Sequence, residues 1–448
     1  MADTLDRTST NEATDVTSTD VTSEITEWLQ ENWDPDLTVG QWWERLGLSG
    51  WAAPTLPENA YGRGLSRSDG VRVQKAISDF GALGGPGGLG LLLAAPTIAT
   101  HGTQEQIDRY VRDIVTGQKA WCQLFSEPGA GSDLAGLQCR AVQDGDEWVV
   151  NGQKVWTSAG HIADLGMLIA RTDPDLPKHQ GISYFAIDMH QDGADVRPLK
   201  EMTGRALFNE VFLTDARVAD DALVGGRNNG WAVANTTLAH ERAGLGAGGG
   251  SAGASAATPG TVVGDLDRRV GDFVRGGSRR SGGGAPGGMF GAIEELLVEL
   301  AKADGAIADA TVRQGLMKLH TANEIARYTG LRQKALKASG QDLPGVGNIA
   351  KLSMSDIVRQ GRDLGLRILG AYGTLHAYEG QDRKALDAAT GNPFFAMVTE
   401  MALFAQAPPI YGGTDQVQRN IIGERVLGLP KEPGDTRNTP FRELPKNG

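Results

Sequence analysis

The stretch that most constrains this chain is Trp121 to Gly160, WCQLFSEPGAGSDLAGLQCRAVQDGDEWVVNGQKVWTSAG. Asp144-Gly145 and Asn151-Gly152 each sit between short apolar runs (Cys139 and Ala141; Trp148, Val149 and Val150; Val155 and Trp156). Such dipeptides between alternating apolar residues are the strongest short-range hairpin signal, so an antiparallel meander with a turn at each is expected. Ahead of it runs the turn Ser126-Glu127-Pro128-Gly129-Ala130-Gly131-Ser132-Asp133. Gly129 and Gly131 permit backbone shapes other residues resist and expose main-chain N–H groups to a planar, oxygen-rich ligand, while Ser126 and Ser132 add hydroxyls. On local chemistry alone this is either a plain turn or the lip of a ligand site.

The flanking sequence places the meander inside a larger design. The first 21 residues are acidic and rich in Thr, Ser and Asp, with neither a basic nor an apolar leader, and are expected to be a disordered tail rather than a targeting segment. Residues 22–118 read as helical. Ile25, Trp28, Leu29 and Trp33 share one helical face, Trp42, Trp43 and Leu46 another, residues 66–80 and 89–100 form two more helices, and Thr103-x-x-Gln106 is a capping box for a helix to about Val115. Residues 119–225 read as β, with strand-like runs at 165–170, 182–188 and 210–213. From Asn229-Gly230 the pattern returns to helix through residue 448, over about 289–303, 308–339, 350–369, 392–407 and 415–427. It is interrupted over 243–289, where 16 of 47 positions are glycine, and this segment is expected to be a long mobile insertion.

With 55 Asp and Glu against 43 Lys and Arg, net charge −12, nucleic acid is an unfavourable partner. Cys122 and Cys139 are the only cysteines and have no ligand spacing, so neither a disulfide framework nor a metal site is expected; a reducing cytoplasm is. The seven histidines also show no metal spacing. The longest apolar run, Leu89 to Ala95, is too short to span a bilayer.

Ser126-Glu127-Pro128-x-x-Gly131-Ser132-Asp133 followed by Asn151-Gly152-x-Lys154-x-Trp156-x-Ser158 resembles the paired signature of the acyl-CoA dehydrogenase family. Glu241-Arg242 and Ile410-Tyr-Gly-Gly-Thr-Asp-Gln-Val-Gln418 extend the resemblance over roughly residues 22–430. It implies an α+β, mostly α fold, with an N-terminal helical domain, a middle antiparallel β domain and a C-terminal helical bundle. It also implies FAD as cofactor, an acyl-CoA substrate oxidised to the trans-2-enoyl thioester, an electron-transfer flavoprotein as acceptor, and a homotetramer or dimer, or else a heterotetramer with a related subunit.

Residue by residue, the family's usual catalytic carboxylate falls at Gly412, where there is no side chain. A minority of the family instead carries the base in a Glu-Arg pair on the helix after the β domain, and Glu241 matches that pattern. The Gly412 N–H is then suited to the thioester oxygen. For the cofactor, the resemblance points to Leu124, Ser126, Gly131, Ser132, Trp156, Ser158, Gly413, Thr414 and Gln416, and more loosely to Arg367 and Gly370, the family's glutamine standing as arginine at 367. For the substrate it points to Ser132, Arg242 and Tyr411. One departure stands out. The Arg-x-x-Phe-Gly motif that reaches a partner's flavin should lie near Lys302-Ala-Asp-Gly305 and is absent, leaving Arg275, Arg279, Arg280, Arg313 or a different partner chain to hold the adenine half. A flavin oxidase and a catalytically silent subunit are the competing readings.

Overall fold

The computed structural model describes residues 20–246, 257–274, 286–341, 343–392, 395–431, 436 and 438–445. The tail expected over residues 1–21 lies outside them up to residue 19; Asp20 and Val21 open the first helix. The N-terminal helices follow from their apolar spacing. In α1 (Asp20–Asn32) Ile25 and Leu29 are fully buried, and in α2 (Val39–Leu48) Val39, Trp42, Trp43 and Leu46 face the same core. Each large side chain so buried contributes about 1.5–3 kcal/mol before entropy is charged against it. The two indole N–H groups are not left dry, since Trp42 donates to the Leu83 carbonyl at 2.7 Å and Trp43 to that of Gly84 at 2.8 Å. Helix α3 (Arg67–Phe80) is capped by Ser66. A π-turn at Gly90–Ala94 leads into α4 (Ala95–His101). The Thr103–Gln106 capping box forms at α5 (Gln104–Gln106), which continues through a π-turn into α6 (Arg112–Val115).

The β unit contains eight strands among the described residues: β1 (Trp121–Leu124), β2 (Arg140–Asp144), β3 (Glu147–Ser158), β4 (Leu165–Arg171), β5 (Ile182–Asp188), β6 (Ala194–Leu199), β7 (Phe208–Ala219) and β8 (Leu223–Val224). Their order is β6-β7-β3-β2-β4-β5-β8, antiparallel apart from β1, which pairs parallel to β4, and a single parallel bridge from β2 to β4. Helix α7 (Gly230–Gly246) packs on β5 and α4 and leads away from the sheet. Short α8 (Gly271–Val274) follows. A separate core then joins α9 (Pro286–Ala303), α10 (Ala310–Ala338), α11 (Val346–Leu369) and α13 (Phe395–Phe404) through Leu297, Leu319, Val358 and Val398. Helix α12 (Gly380–Thr390) and the final α14 (Asp415–Ile421), extended by a π-turn at Ile422–Val426, complete the chain's helices among the described residues.

Three expectations need correction. Asp144-Gly145 does open the β2–β3 hairpin, but Asn151-Gly152 makes no turn; it lies inside the twelve-residue β3, at a register shift opposite β7. Glycine is needed there because a Cβ would sit 2.6 Å from the Cys139 Cβ, so the signal marks close approach of two strands. Residues 257–274 of the Gly-rich segment are not a mobile insertion; they fold back on the first unit. Ala257 and Val270 join its core, the Val270 N–H donates to the Leu37 carbonyl at 3.0 Å, and the Val39 N–H donates to that of Arg268 at 2.8 Å. Residues 247–256 and 275–285 of that segment lie outside the described residues. Finally, α12 occupies a stretch for which no helix is expected from the sequence.

Candidate active site

The turn after β1 is held by a buried ion pair. Lys154 is fully buried, and its Nζ donates to Glu127 Oε1 at 2.8 Å and to the Phe125 carbonyl at 3.0 Å. Glu127 also accepts the Gln138 N–H at 2.6 Å and the Cys139 N–H at 2.9 Å. The two charges therefore pin the Ser126–Asp133 turn to β3, and the Val155 N–H closes the seam on the Ser126 carbonyl at 2.9 Å.

Just beyond that seam the β3–β7 register shifts between Lys154 and Thr157, and Trp156 adopts φ +61° inside the bulge. A non-glycine residue in this region is strained by about 1–3 kcal/mol, and bulges commonly re-aim a side chain. Here the indole is turned outward, 61% exposed, against the edge of Phe208 at 5.9 Å. Among the described residues the hydroxyls of half-buried Ser126 and Ser158 and of exposed Ser132 have no hydrogen-bond partner, and a Cβ on Gly131 would meet nothing within 4 Å. Leu124, by contrast, places its side chain in the core and offers only main chain.

Glu241 sits in α7, which is tied to its neighbours one turn earlier. Buried Thr237 Oγ1 lies 3.0 Å from Thr97 Oγ1 in α4 and donates to Tyr184 Oη at 3.4 Å, and Thr236 Oγ1 lies 2.8 Å from His101 Nε2. Glu241 is thereby held half-buried over β1, where Gln123 Nε2 donates to its Oε2 at 3.4 Å. Burial pushes its carboxyl above the usual range, against smaller opposing effects of the Gln123 hydrogen bond and the Arg242 charge. Arg242 itself is exposed. Gln123 is a residue the sequence reading missed: a single glutamine in a strand carries no pattern.

The C-terminal loop forms a second group. Gly412 (φ +62°) and Gly413 (φ +82°) both occupy the left-handed region, and their carbonyls accept Gln418 Nε2 at 2.9 and 3.3 Å. Thr414 is the N-cap of α14, accepting the Val417 N–H at 3.2 Å. Buried Asp415 is clamped by Lys351 at 3.1 Å and Arg359 at 2.8 Å, while Gln416 is exposed. The Tyr411 Oη is buried without a partner, and burial pushes the phenol up to about 12. Among the described residues no hydrogen bond joins this loop to Glu241. Arg367 and Gly370 lie exposed at the end of α11, Arg367 lining a shallow hollow of about 430 Å³ with Thr311, Gln314 and Lys318. Lys302 pairs with Glu299, and Arg313 donates to the Ile307 and Ala308 carbonyls; Arg275, Arg279 and Arg280 lie outside the described residues.

A helical unit, a β unit and a helical bundle in this order are the arrangement of the acyl-CoA dehydrogenase fold. The models of the acyl-CoA dehydrogenase N-terminal, middle and C-terminal domains match residues 6–118, 122–216 and 279–427. The chain is 33% identical over 391 residues to acyl-CoA dehydrogenase IpdE1 of Mycobacterium tuberculosis, covering 87% of this chain and 88% of that protein. It is 40% identical over 390 residues to acyl-CoA dehydrogenase FadE34 of the same organism, of which it spans 46%. The solved ChsE4-ChsE5 complex from Mycobacterium tuberculosis matches with a TM-score of 0.63 at 25% identity, over 95% of this chain and all of that one. The chain therefore belongs to the acyl-CoA dehydrogenase family, as a flavin-dependent oxidoreductase with FAD as its cofactor. The bare indole of Trp156 and the unpartnered hydroxyls beside it fit such a group, offering a flat apolar surface and free donors for a heteroaromatic ring. No described helix is long and apolar enough to cross a membrane.

Proposed function

We propose that this protein carries out α,β-dehydrogenation of an acyl-CoA thioester with Glu241 as the general base, its three units spanning residues 22–118, 119–225 and 226–448. The observation that carries the reading is the setting of Glu241, half-buried over β1 and with its carboxyl raised by desolvation. A carboxylate taken out of water is a stronger base, and polarising the thioester carbonyl makes the α proton more acidic, so the two approach a match. Gln123 orients the carboxylate and Glu241 takes the α proton. The Gly412 N–H donates to the developing enolate oxygen, a fixed donor placed where charge appears. Arg242, Ser132 and Tyr411 bind the thioester and its CoA portion. Trp156, Ser126, Ser158, Gly131 and the Leu124 main chain would hold the isoalloxazine ring and ribityl chain of FAD, with Gly413, Thr414 and Gln416 serving a neighbouring subunit's cofactor and Arg367 and Gly370 forming a further cofactor-contact loop. When bound, FAD supplies the acceptor for the β hydride. An electron-transfer flavoprotein in the cytoplasm then reoxidises the enzyme.

Anaerobic bleaching of the flavin by a panel of acyl-CoAs tests this. Glu241→Gln is expected to keep the yellow colour and slow bleaching at least about a hundredfold. Normal bleaching by the variant would remove the proposed base, and rapid oxygen consumption without an added acceptor would favour an oxidase.

A second reading has its own support. With Lys302 and Arg313 engaged within the chain and the Arg-x-x-Phe-Gly motif absent, Arg275, Arg279, Arg280 or a different partner chain is left to hold the adenine half of FAD. The likeness to a complex of two chains favours the partner chain. Purification of the chain alone decides: a colourless protein that turns yellow only with a related subunit favours the heteromer over a homotetramer or dimer.

A further inference from the structure

A small cavity of about 110 Å³ lies where the first unit, β1 and the 257–274 segment meet, with Gly88, Gly90, Ile114, Trp121, Ile162 and Pro259 among its lining residues. Its walls are largely apolar, and Lys119, Thr258 and Trp121 are its polar lining residues. Trp121 is 3% exposed, and its Nε1–H is buried without a hydrogen-bond partner. The ring is braced edge-on by Tyr110 at 5.7 Å, and its Cδ1, bonded to Nε1, faces Gly90: a Cβ added at Gly90 would sit 3.2 Å from it. A buried indole donor without a partner is a cost that a native structure keeps only where something accepts from it.

The position of the cavity relates it to the base. Side chains alternate along a strand: Cys122 and Leu124 point into the β core, whereas Trp121 and Gln123 share the other face. Gln123 is the residue that meets Glu241. Trp121 therefore lies about 7 Å further along the same face, the length of about six bonds of an extended acyl chain. Lys119 is already paired with Asp164 at 3.7 Å, so the donors left among the lining side chains, the Trp121 indole and the Thr258 hydroxyl, are neutral, and the indole is the one buried without a partner.

We propose that the substrate's acyl group runs along this face of β1 from Glu241 into the cavity, where the Trp121 indole N–H donates to a ketone or hydroxyl oxygen near its far end. The substrate class is thus an oxygenated acyl-CoA, with Thr258 and Pro259 closing the pocket beyond it. This rests on the reading of Glu241 as the base. A site built to hydrogen-bond a substrate oxygen discriminates strongly against the analogue lacking it, because the buried donor is then left dry.

The test compares octanoyl-CoA with its counterpart bearing a ketone on the penultimate carbon, as kcat/KM for flavin bleaching of the holoenzyme, together with binding of the matching enoyl-CoA products followed by flavin absorbance. The ketone is expected to be favoured at least about tenfold, and Trp121→Phe, which keeps the packing on Tyr110, to bring the pair within about twofold. Ile162→Phe, which adds bulk at the cavity wall, is expected to abolish the preference as well, and supplies the result should Trp121→Phe fail to fold. Equal use of both thioesters by the wild type, the outcome for a cavity that holds only water, overturns the proposal and leaves Glu241 as base untouched. If neither thioester binds or bleaches the flavin, the acyl-CoA reading falls and this one with it.

Discussion

Replacing Lys154 with methionine removes one half of the ion pair that pins the Ser126–Asp133 turn. The side chain is fully buried and Glu127 nearly so, so Lys154→Met strands a carboxylate away from water and leaves the Phe125 carbonyl without its ammonium donor. The two backbone N–H groups of Gln138 and Cys139 remain on Glu127 and soften the loss. Breaking a buried pair from one side costs about 3–5 kcal/mol. At about 2–4 °C per kcal/mol for a unit of 150–250 residues, that is a fall of about 6–20 °C in apparent Tm with FAD saturating. Glu127→Gln strands the ammonium instead and is expected to cost a similar amount. The double variant removes both charges at once and is expected to lie at least about 2 kcal/mol above the sum of the singles. Scanning fluorimetry of the four proteins, with flavin absorbance after gel filtration as the second readout, measures the cycle. Additive losses, or a single variant that melts within about 2 °C of wild type, would refute the claim that the pair holds this turn.

Further outcomes follow from the same geometry. Because desolvation raises the Glu241 carboxyl and catalysis needs it ionised, bleaching is expected to fall with decreasing pH through a value above the ordinary glutamate range; Glu241→Gln should lack that limb in stopped-flow profiles. The same shift has the opposite sign for folding: its contribution is present at acid pH and is lost as pH rises through the raised value. Separately, Asp164 accepts the Ala120 N–H at 2.8 Å, the Thr261 N–H at 3.2 Å and the Thr261 hydroxyl; burial alone would raise its carboxyl, but these bonds and the Lys119 charge hold it below the usual range. Thr261→Val is therefore expected to loosen residues 257–274, seen as at least about a fivefold faster proteolytic cut there, in keeping with the loss of one hydrogen bond to a charged group.

Much of the helical architecture could be read from residue pattern alone because the signals are local. Trp42, Trp43 and Leu46 define a helical face whatever surrounds them, and Thr103 with Gln106 forms its capping box within four residues. The errors arose where one local signal has two physical causes. Asn151-Gly152 reads as a turn, yet glycine there answers to the Cys139 side chain on β2, a neighbour that local sequence cannot name. Composition likewise averaged 257–274 into its glycine-rich flanks and hid Leu266, Val270 and Phe273, which pack on the first unit. At the site, Glu241 was legible only through resemblance, whereas Gln123 and the Trp121 cavity emerge only once β1 and α7 are placed together. No pattern in the sequence announces a donor that lacks a partner.

The threonine bonds that fasten α7 to α4 and β5 carry a mechanical consequence. Glu241 projects about 6 Å beyond Thr237 along the helix axis, so the carboxylate rides at the end of a short lever whose fulcrum belongs to another part of the chain. A slight tilt at Thr97 or His101 is magnified at the Glu241 carboxylate, the base proposed above, while β3 with Trp156 and Ser158 stays still. Changes in α4 are thus expected to shift the proposed base relative to the proposed cofactor site.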